Sequence, residues 1–286
     1  MLIEVKGNSG CAINIVGTDN KLLVHKSTYD KSYIPRLVNQ ANKQKNAALI
    51  ANIEVPEVHA VITSDDSATI VMDYVHAKNF IDFIEQSPIS AIDDFIKSIT
   101  SYVDKEISNS EITEIDNEIF LSKIESIKSS AIKKSLTCMH PIINLIDDAY
   151  SIFEQRPNMK IPVGVCHGDL TLSNILFSSS KYYLIDFLDS FIETPIQDIV
   201  KLRQDTSLFW SLQMYDKPYD KIRIKTVFDY IDSAIDSYFS ATCSSYKDSY
   251  TYIQLINILR IVPYAKSSSV VDYLEKTITS LLSELK

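Results

Sequence analysis

The densest concentration of chemistry-bearing side chains is the stretch VCHGDLTLSNILF, residues 165–177. There His167, Asp169, Thr171, Ser173 and Asn174 crowd between two apolar, strand-like runs. A second carboxylate follows in YYLIDF (182–187), which reads as a strand closing on Asp186. The loop is thus expected between strands VGVC and NILF, with Asp186 waiting at the end of a third, YLID. Asp169 and Asp186 offer carboxylates, and Asn174 offers a neutral oxygen. Mg²⁺ takes a few hard oxygen ligands and completes its shell with phosphate oxygens and water. One Asp and the Asn could hold metal on a nucleotide, while the other Asp could orient or deprotonate an attacking hydroxyl. A merely structural loop has no reason to set two carboxylates and an amide at the ends of adjacent strands.

The elements that must position these groups fall into two textures. Residues 2–6 and 11–16 read as strands around GNSG, TDNK (18–21) as a turn, and LLVHK (22–26) as a third strand. Residues 31–52 carry Ile34, Leu37, Val38, Ala41 and Ala48 at roughly helical spacing. HAVIT and ATIVMDYV, joined by SDDS, read as a hairpin. After Ala77 the pattern becomes helical. Ser87 reads as an N-cap with Pro88 at the first helical position, followed by Ile89, Ile92, Ile96, Ile99 and Val103. Helical patterns also fit 112–134, 140–156, 225–240, 248–260 and 270–285. These apolar stripes are core. The expected architecture is α+β and bilobal: a small five-stranded antiparallel lobe with one helix over 1–76, then a larger, mainly helical lobe over 77–286.

Composition narrows the class. The chain has 286 residues, 45% hydrophobic and 23% charged, ample for a large core. Its net charge of −9 gives no basic face for nucleic acid, and no apolar run reaches a membrane span. The N-terminus lacks the pattern of a signal peptide. The four cysteines are scattered, without a CxxC pair, and read as reduced thiols in a cytoplasmic protein. The acidity fits either plain solubility or a pocket for a cationic substrate.

His167-Gly168-Asp169 with Asn174 five residues on, then Ile185-Asp186-Phe187, resembles the catalytic loop and metal motif of the aminoglycoside phosphotransferase and choline kinase families, which share the protein-kinase-like fold. The resemblance implies a catalytic base or hydroxyl-orienting role for Asp169, Mg²⁺ ligation by Asn174 and Asp186, and a loop-propping role for His167. It implies ATP as the nucleotide, with GTP open. Gly7, Asn8, Ser9 and Gly10 would form the phosphate-covering loop, and Lys26 the strand lysine on the phosphates. Met72 would be the gatekeeper, with the Asp73 carbonyl and the Val75 N–H facing the base. Asp198 would support the catalytic loop from the start of a helix. One departure is plain: the helix after the third strand normally brings a Glu to the lysine, and residues 31–52 hold no acid. Gln40 and Gln44 are the nearest stand-ins.

Three features point to a small-molecule acceptor rather than a protein. Gly168 stands where protein kinases carry Arg, Leu188 where their metal motif continues with Gly, and only eleven residues separate Asp186 from Asp198. The expected reaction is phosphoryl transfer to a hydroxyl of a sugar, amino sugar or amino alcohol. The alternatives are a nucleotide-binding pseudokinase scaffold and, more distantly, a protein kinase. KLRQDTSLFW (201–210) and ILRIVPYAK (258–266) are the expected acceptor wall, through Arg203, Asp205, Trp210, Arg260 and Tyr264. The sequence leaves the acceptor's charge and the oligomeric state open.

Overall fold

The computed structural model describes residues 2–6, 11–17, 21–47, 49–133, 140–179 and 181–286. Five strands form one antiparallel sheet: β1 (Leu2–Lys6), β2 (Ala12–Gly17), β3 (Leu22–Thr28), β5 (Val58–Thr63) and β6 (Ala68–Asp73), in the order β1-β2-β3-β6-β5. Register is set between β3 and β6, where Lys26 lies opposite Ile70 and Val24 opposite Met72. The single helix packed on this sheet is α1 (Ile34–Lys45). Its buried positions are Leu37, Gln40, Ala41 and Gln44, the 3–4 spacing of one helix face. Two of the four are glutamines, so the face that covers the sheet also delivers amides to it.

The expected helix over 31–52 is shorter than its pattern. The chain leaves α1 at Asn46 and by Ile53 has joined another sheet, with Asn52 in the left-handed region at φ 70°. There β4 (Ile53–Glu54) pairs parallel with β10 (Lys181–Leu184), which pairs antiparallel with β9 (Ile175–Ser178). This small sheet lies directly beside the polar loop.

The rest is mainly helical: α2 (Phe80–Gln86), α3 (Ile89–Ser108), α4 (Asn117–Lys133), α5 (His140–Glu154), α6 (Pro195–Thr206), α7 (Lys221–Thr242), α8 (Tyr246–Leu259) and α9 (Ser268–Leu285). Two apolar clusters fill it, one centred on Phe120, Phe153 and Leu255, the other on Phe95, Phe177 and Phe228. Four local expectations change. Pro88 is itself the cap of α3, so the helix starts one residue later than expected. Residues 111–115 are strand β7, not helix, because they ladder against β8 (Met159–Val163). Only Val163 of VGVC belongs to a strand; Cys166 is buried in irregular backbone that follows. Asp186 lies two residues beyond β10.

Candidate active site

The loop 164–174 is folded by buried acids beneath it. Asp198, in the first turn of α6, accepts the backbone N–H of His167 at 2.6 Å and of Gly168 at 2.7 Å. Its burial pushes the carboxyl up to about 7, against the pull of those two donors. Glu106, at the buried end of α3, faces Asp198, and burial raises its carboxyl well above the usual range. Asp205, on the same face of α6 two turns further on, accepts Leu172 N–H at 2.7 Å, Ser211 N–H at 3.1 Å and the Ser211 hydroxyl at 2.7 Å. Asp205 is fully buried and satisfied. The expectation that it lines the acceptor wall is therefore corrected: it holds up the loop from below.

His167 is the hub of the loop. The ring is fully buried and stacks on Phe187 at 4.2 Å. Its Nε2 lies 2.9 Å from the Ile185 carbonyl, and its Nδ1 3.2 Å from the Asp169 N–H. A carbonyl only accepts and an amide N–H only donates, so both bonds are satisfied by the neutral ring protonated at Nε2. Burial drives its pKa down to about 4, although Asp169 pulls the other way. His167 thereby ties the backbone of Asp169 to that of the metal motif, and Leu188 N–H to His167 O at 2.9 Å completes the tie.

Gly168 is required twice. Its φ is +84°, and a Cβ there would sit 2.0 Å from the Leu188 carbonyl oxygen.

Two of the three chemistry-bearing groups meet directly, and the third is held by a lysine from the sheet. Asn174 donates Nδ2 to Asp169 Oδ2 at 3.1 Å and to the Asp169 carbonyl at 2.8 Å. Asp186, in the left-handed region at φ 61°, places Oδ1 2.7 Å from Lys26 Nζ. Lys26 is only 2% exposed, and its second partner is Gln40 Oε1 at 3.0 Å. Gln40 is thus the stand-in for the missing acid. Gln44 instead donates to the Pro56 carbonyl at 2.7 Å.

Lys201 was not singled out in the sequence, yet its Nζ lies 3.1 Å from Asp169 Oδ1. Burial pushes the Asp169 carboxyl up, but Lys201, followed by His167 and Arg260, outweighs it and the pKa ends below the ordinary value. The signal was present: Lys201 is three residues after Asp198, hence on the same face of α6 one turn on. Lys43 of α1 was missed too; it clamps the segment after Asp186 through Leu188 O at 2.7 Å and Glu193 Oε2 at 2.8 Å.

The other candidates divide. Gly7, Asn8, Ser9 and Gly10 lie outside the described residues. Met72 is buried under the sheet; the Asp73 side chain turns to His59 Nε2 at 2.7 Å and Lys21 Nζ at 3.2 Å. Val75 follows β6 in the half-buried link toward α2. Arg203 is not at the wall: its guanidinium grips both carboxylate oxygens of Asp232 at 2.8–2.9 Å, reaches Asp236 and the Tyr246 hydroxyl, and lies over the Tyr250 ring. Trp210 packs on Tyr273 at 5.8 Å. Arg260 stays near the loop, within the field of Asp169, and Tyr264 is exposed close to Arg260.

Comparison with known proteins agrees with this frame. The family model described as "Phosphotransferase enzyme family" (APH) matches residues 133–218, which include the loop and the metal motif. No curated protein matches the chain. Among solved structures, a ternary complex of a thermostable mutant of aminoglycoside phosphotransferase APH(4)-Ia with AMP-PNP and hygromycin B superposes with a TM-score of 0.65 at 8% identity, covering 99% of this chain and 93% of that one. The streptomycin–ATP ternary complex of APH(2")-IIa gives 0.59 at 15% identity, over 99% and 91%. A putative fructosamine-3-kinase from Haemophilus somnus 129PT gives 0.61 at 14% identity, over 98% and 90%. The chain has the protein-kinase-like fold of these phosphotransferases. No helix among the described residues is long and apolar enough to cross a membrane.

Proposed function

We propose that the chain is a small-molecule kinase that moves the γ-phosphate of ATP, or of GTP, to a hydroxyl of a sugar, amino sugar or amino alcohol. On this reading residues 1–76 hold the nucleotide, and 77–286 supply the catalytic loop and the acceptor wall. Among the described residues, Cys11, Cys166 and Cys243 are buried free thiols, which fits a reducing cytoplasmic setting.

The observation that carries the proposal is the pairing of Asp169 with Asn174 beside an Asp186 tied to Lys26. Among the described residues, Asn174 has Oδ1 left after its nitrogen serves Asp169, and Asp186 has Oδ2 left after Lys26 takes Oδ1. Two such hard oxygens fit Mg²⁺, which would neutralise phosphate charge when bound. Asp169, kept ionised by Lys201, accepts the proton of the acceptor hydroxyl. Lys26 meets the phosphates from β3, and His167 fixes the distance between the base and the metal motif by bonding the backbone of both.

A scaffold reading is motivated by Gln40 in place of an acid, but a scaffold has little use for Asp169, Asn174 and Asp186 together. Thermal shift separates the two. The kinase reading expects stabilisation by AMP-PNP that needs Mg²⁺ and is lost in Asp186→Ala. Stabilisation indifferent to the metal would favour the scaffold. Once an acceptor is in hand, Asp169→Ala is expected to cut turnover by at least ~10³-fold, with nucleotide binding retained.

A further inference from the structure

One face of α6 runs beneath the loop and meets it residue by residue. Asp198 takes the N–H groups of His167 and Gly168, Lys201 the side chain of Asp169, and Asp205 the N–H of Leu172. Their spacing, three residues and then four, is that of a single helix face. The two acids are fully buried and bond the backbone, so they fix the path of the loop by themselves. Lys201 differs on both counts. It bonds a side chain, and 12% of its own side chain is exposed, beside an Asp169 side chain that is 26% exposed. Asp169, moreover, is held without it. Its Oδ2 accepts Asn174 Nδ2 at 3.1 Å, and its N–H donates to His167 Nδ1 at 3.2 Å. Lys201 takes the other oxygen, Oδ1, at 3.1 Å. Among the described residues its remaining partner is Gln204 Oε1, at a long 3.5 Å. One of the three ammonium N–H groups is thus uncommitted.

A cation against a carboxylate makes it a weaker base, so the pair by itself works against proton removal. What phosphoryl transfer demands most is compensation of charge, spread in the transition state over three equatorial oxygens. Lys26 supplies it from β3, where it already holds Asp186. Lys43 is committed to Leu188 O and Glu193. We propose that Lys201 is a catalytic residue of the transfer, binding an equatorial oxygen of the γ-phosphoryl group with one N–H while another holds Asp169. This rests on the phosphotransferase reading above. A hydroxyl bonded to Asp169 Oδ1 lies about 2.6–3.2 Å from it, and the phosphorus about 3–3.5 Å beyond. An ammonium 3.1 Å from that same oxygen is within reach of the phosphoryl group. In the step the hydroxyl oxygen bonds to the γ-phosphorus and the bond to the β–γ bridging oxygen breaks. The nucleoside diphosphate leaves, the hydroxyl proton passes to Asp169, and Lys201 keeps its own protons. Two lysines then flank the transferred group, Lys26 from the sheet and Lys201 from α6.

The test needs no acceptor. Fluoroaluminate, added with ADP and Mg²⁺, is a planar, charged stand-in for the transferring phosphoryl group, and a fluorescent ADP titrated into the full chain reads its effect. In the wild type it is expected to tighten magnesium–ADP about 100-fold. Lys201→Met should lose about tenfold of that tightening. Its magnesium–ADP affinity without fluoroaluminate should stay within about twofold of wild type, which also shows that the variant folds. Lys201→Arg should recover part of the loss, since it keeps the charge but not the compact ammonium. In an Asp169→Asn background Lys201→Met should still cost about fivefold, because a contact with the phosphoryl group does not pass through the carboxylate. Full tightening in Lys201→Met, or a defect that vanishes in the Asp169→Asn background, overturns the assignment and leaves Lys201 a positioning residue. A wild type that binds magnesium–ADP but ignores fluoroaluminate overturns it too. The kinase reading survives all three results as long as nucleotide binding needs Mg²⁺. If binding is indifferent to the metal, both fall together.

Discussion

Lys26 Nζ lies 3.0 Å from Gln40 Oε1, so the buried ammonium on β3 is shared between a helix amide and the Asp186 carboxylate. An amide acceptor completes the hydrogen bonding of the lysine without competing electrostatically for its charge. Gln40→Ala leaves one buried donor unmatched, a cost of about 1–3 kcal/mol. It is expected to lower nucleotide affinity roughly tenfold. Gln40→Glu restores a partner and is expected to bind nucleotide within about threefold of wild type. Titration with a fluorescent nucleotide reads both, and an unchanged Gln40→Ala would show that Asp186 alone holds Lys26.

Gly168→Ala puts a methyl against the Leu188 carbonyl oxygen at a backbone angle hostile to any Cβ. Strain of that kind costs about 1–3 kcal/mol before the clash is counted. Denaturant unfolding should show at least that loss. Turnover should fall further than stability does, because the displaced segment carries Asp186.

Arg203→Ala is expected to act on stability and not on acceptor recognition. It strands Asp232, a side chain 16% exposed, and removes a partner from the more exposed Asp236. Breaking such a buried pair costs about 3–5 kcal/mol, toward the lower end here because Asp236 is partly solvated. A fall in melting temperature with the acceptor KM unchanged supports this. A raised KM in a stably folded variant would return Arg203 to the acceptor wall.

His167 makes stability acid-sensitive. The unfolded chain takes up the imidazole proton near 6.5, while the native ring resists it until about 4. The unfolded state therefore binds more protons in that window, and stability contributed by the neutral ring is lost as pH falls from 6.5 to 4. At about 1.4 kcal/mol per pKa unit the loss approaches ~3 kcal/mol. Asp198 and Asp205, raised to about 7 and about 6, slope the opposite way. The difference between wild type and His167→Asn isolates the histidine: the gap in unfolding free energy should narrow steadily from pH 6.5 to 4. A constant gap would mean the ring is protonated in the native protein.

Much of the site was legible because its chemistry is local. Asp169 and Asn174 are five residues apart in a loop whose own turns fix them, and Asp186 follows one short hairpin of two strands later. The five-stranded sheet was legible from alternation and turn residues. Residues 111–115 were not, since an Ile-Thr-Glu-Ile run satisfies a helical stripe as well as a strand until β8 supplies the ladder.

The sequence by itself determined which polar groups share one loop, and that the helix after the lysine strand carries no acid. Only the tertiary structure decided who partners whom. It chose Gln40 over Gln44 for Lys26, sent Arg203 and Asp205 into the interior, and brought Lys201 to Asp169. The physical reason is that a side chain's charge and reach are written in its type, whereas its partner depends on which helix faces pack together. That packing is settled by apolar burial summed over the whole chain, and no short stretch records it.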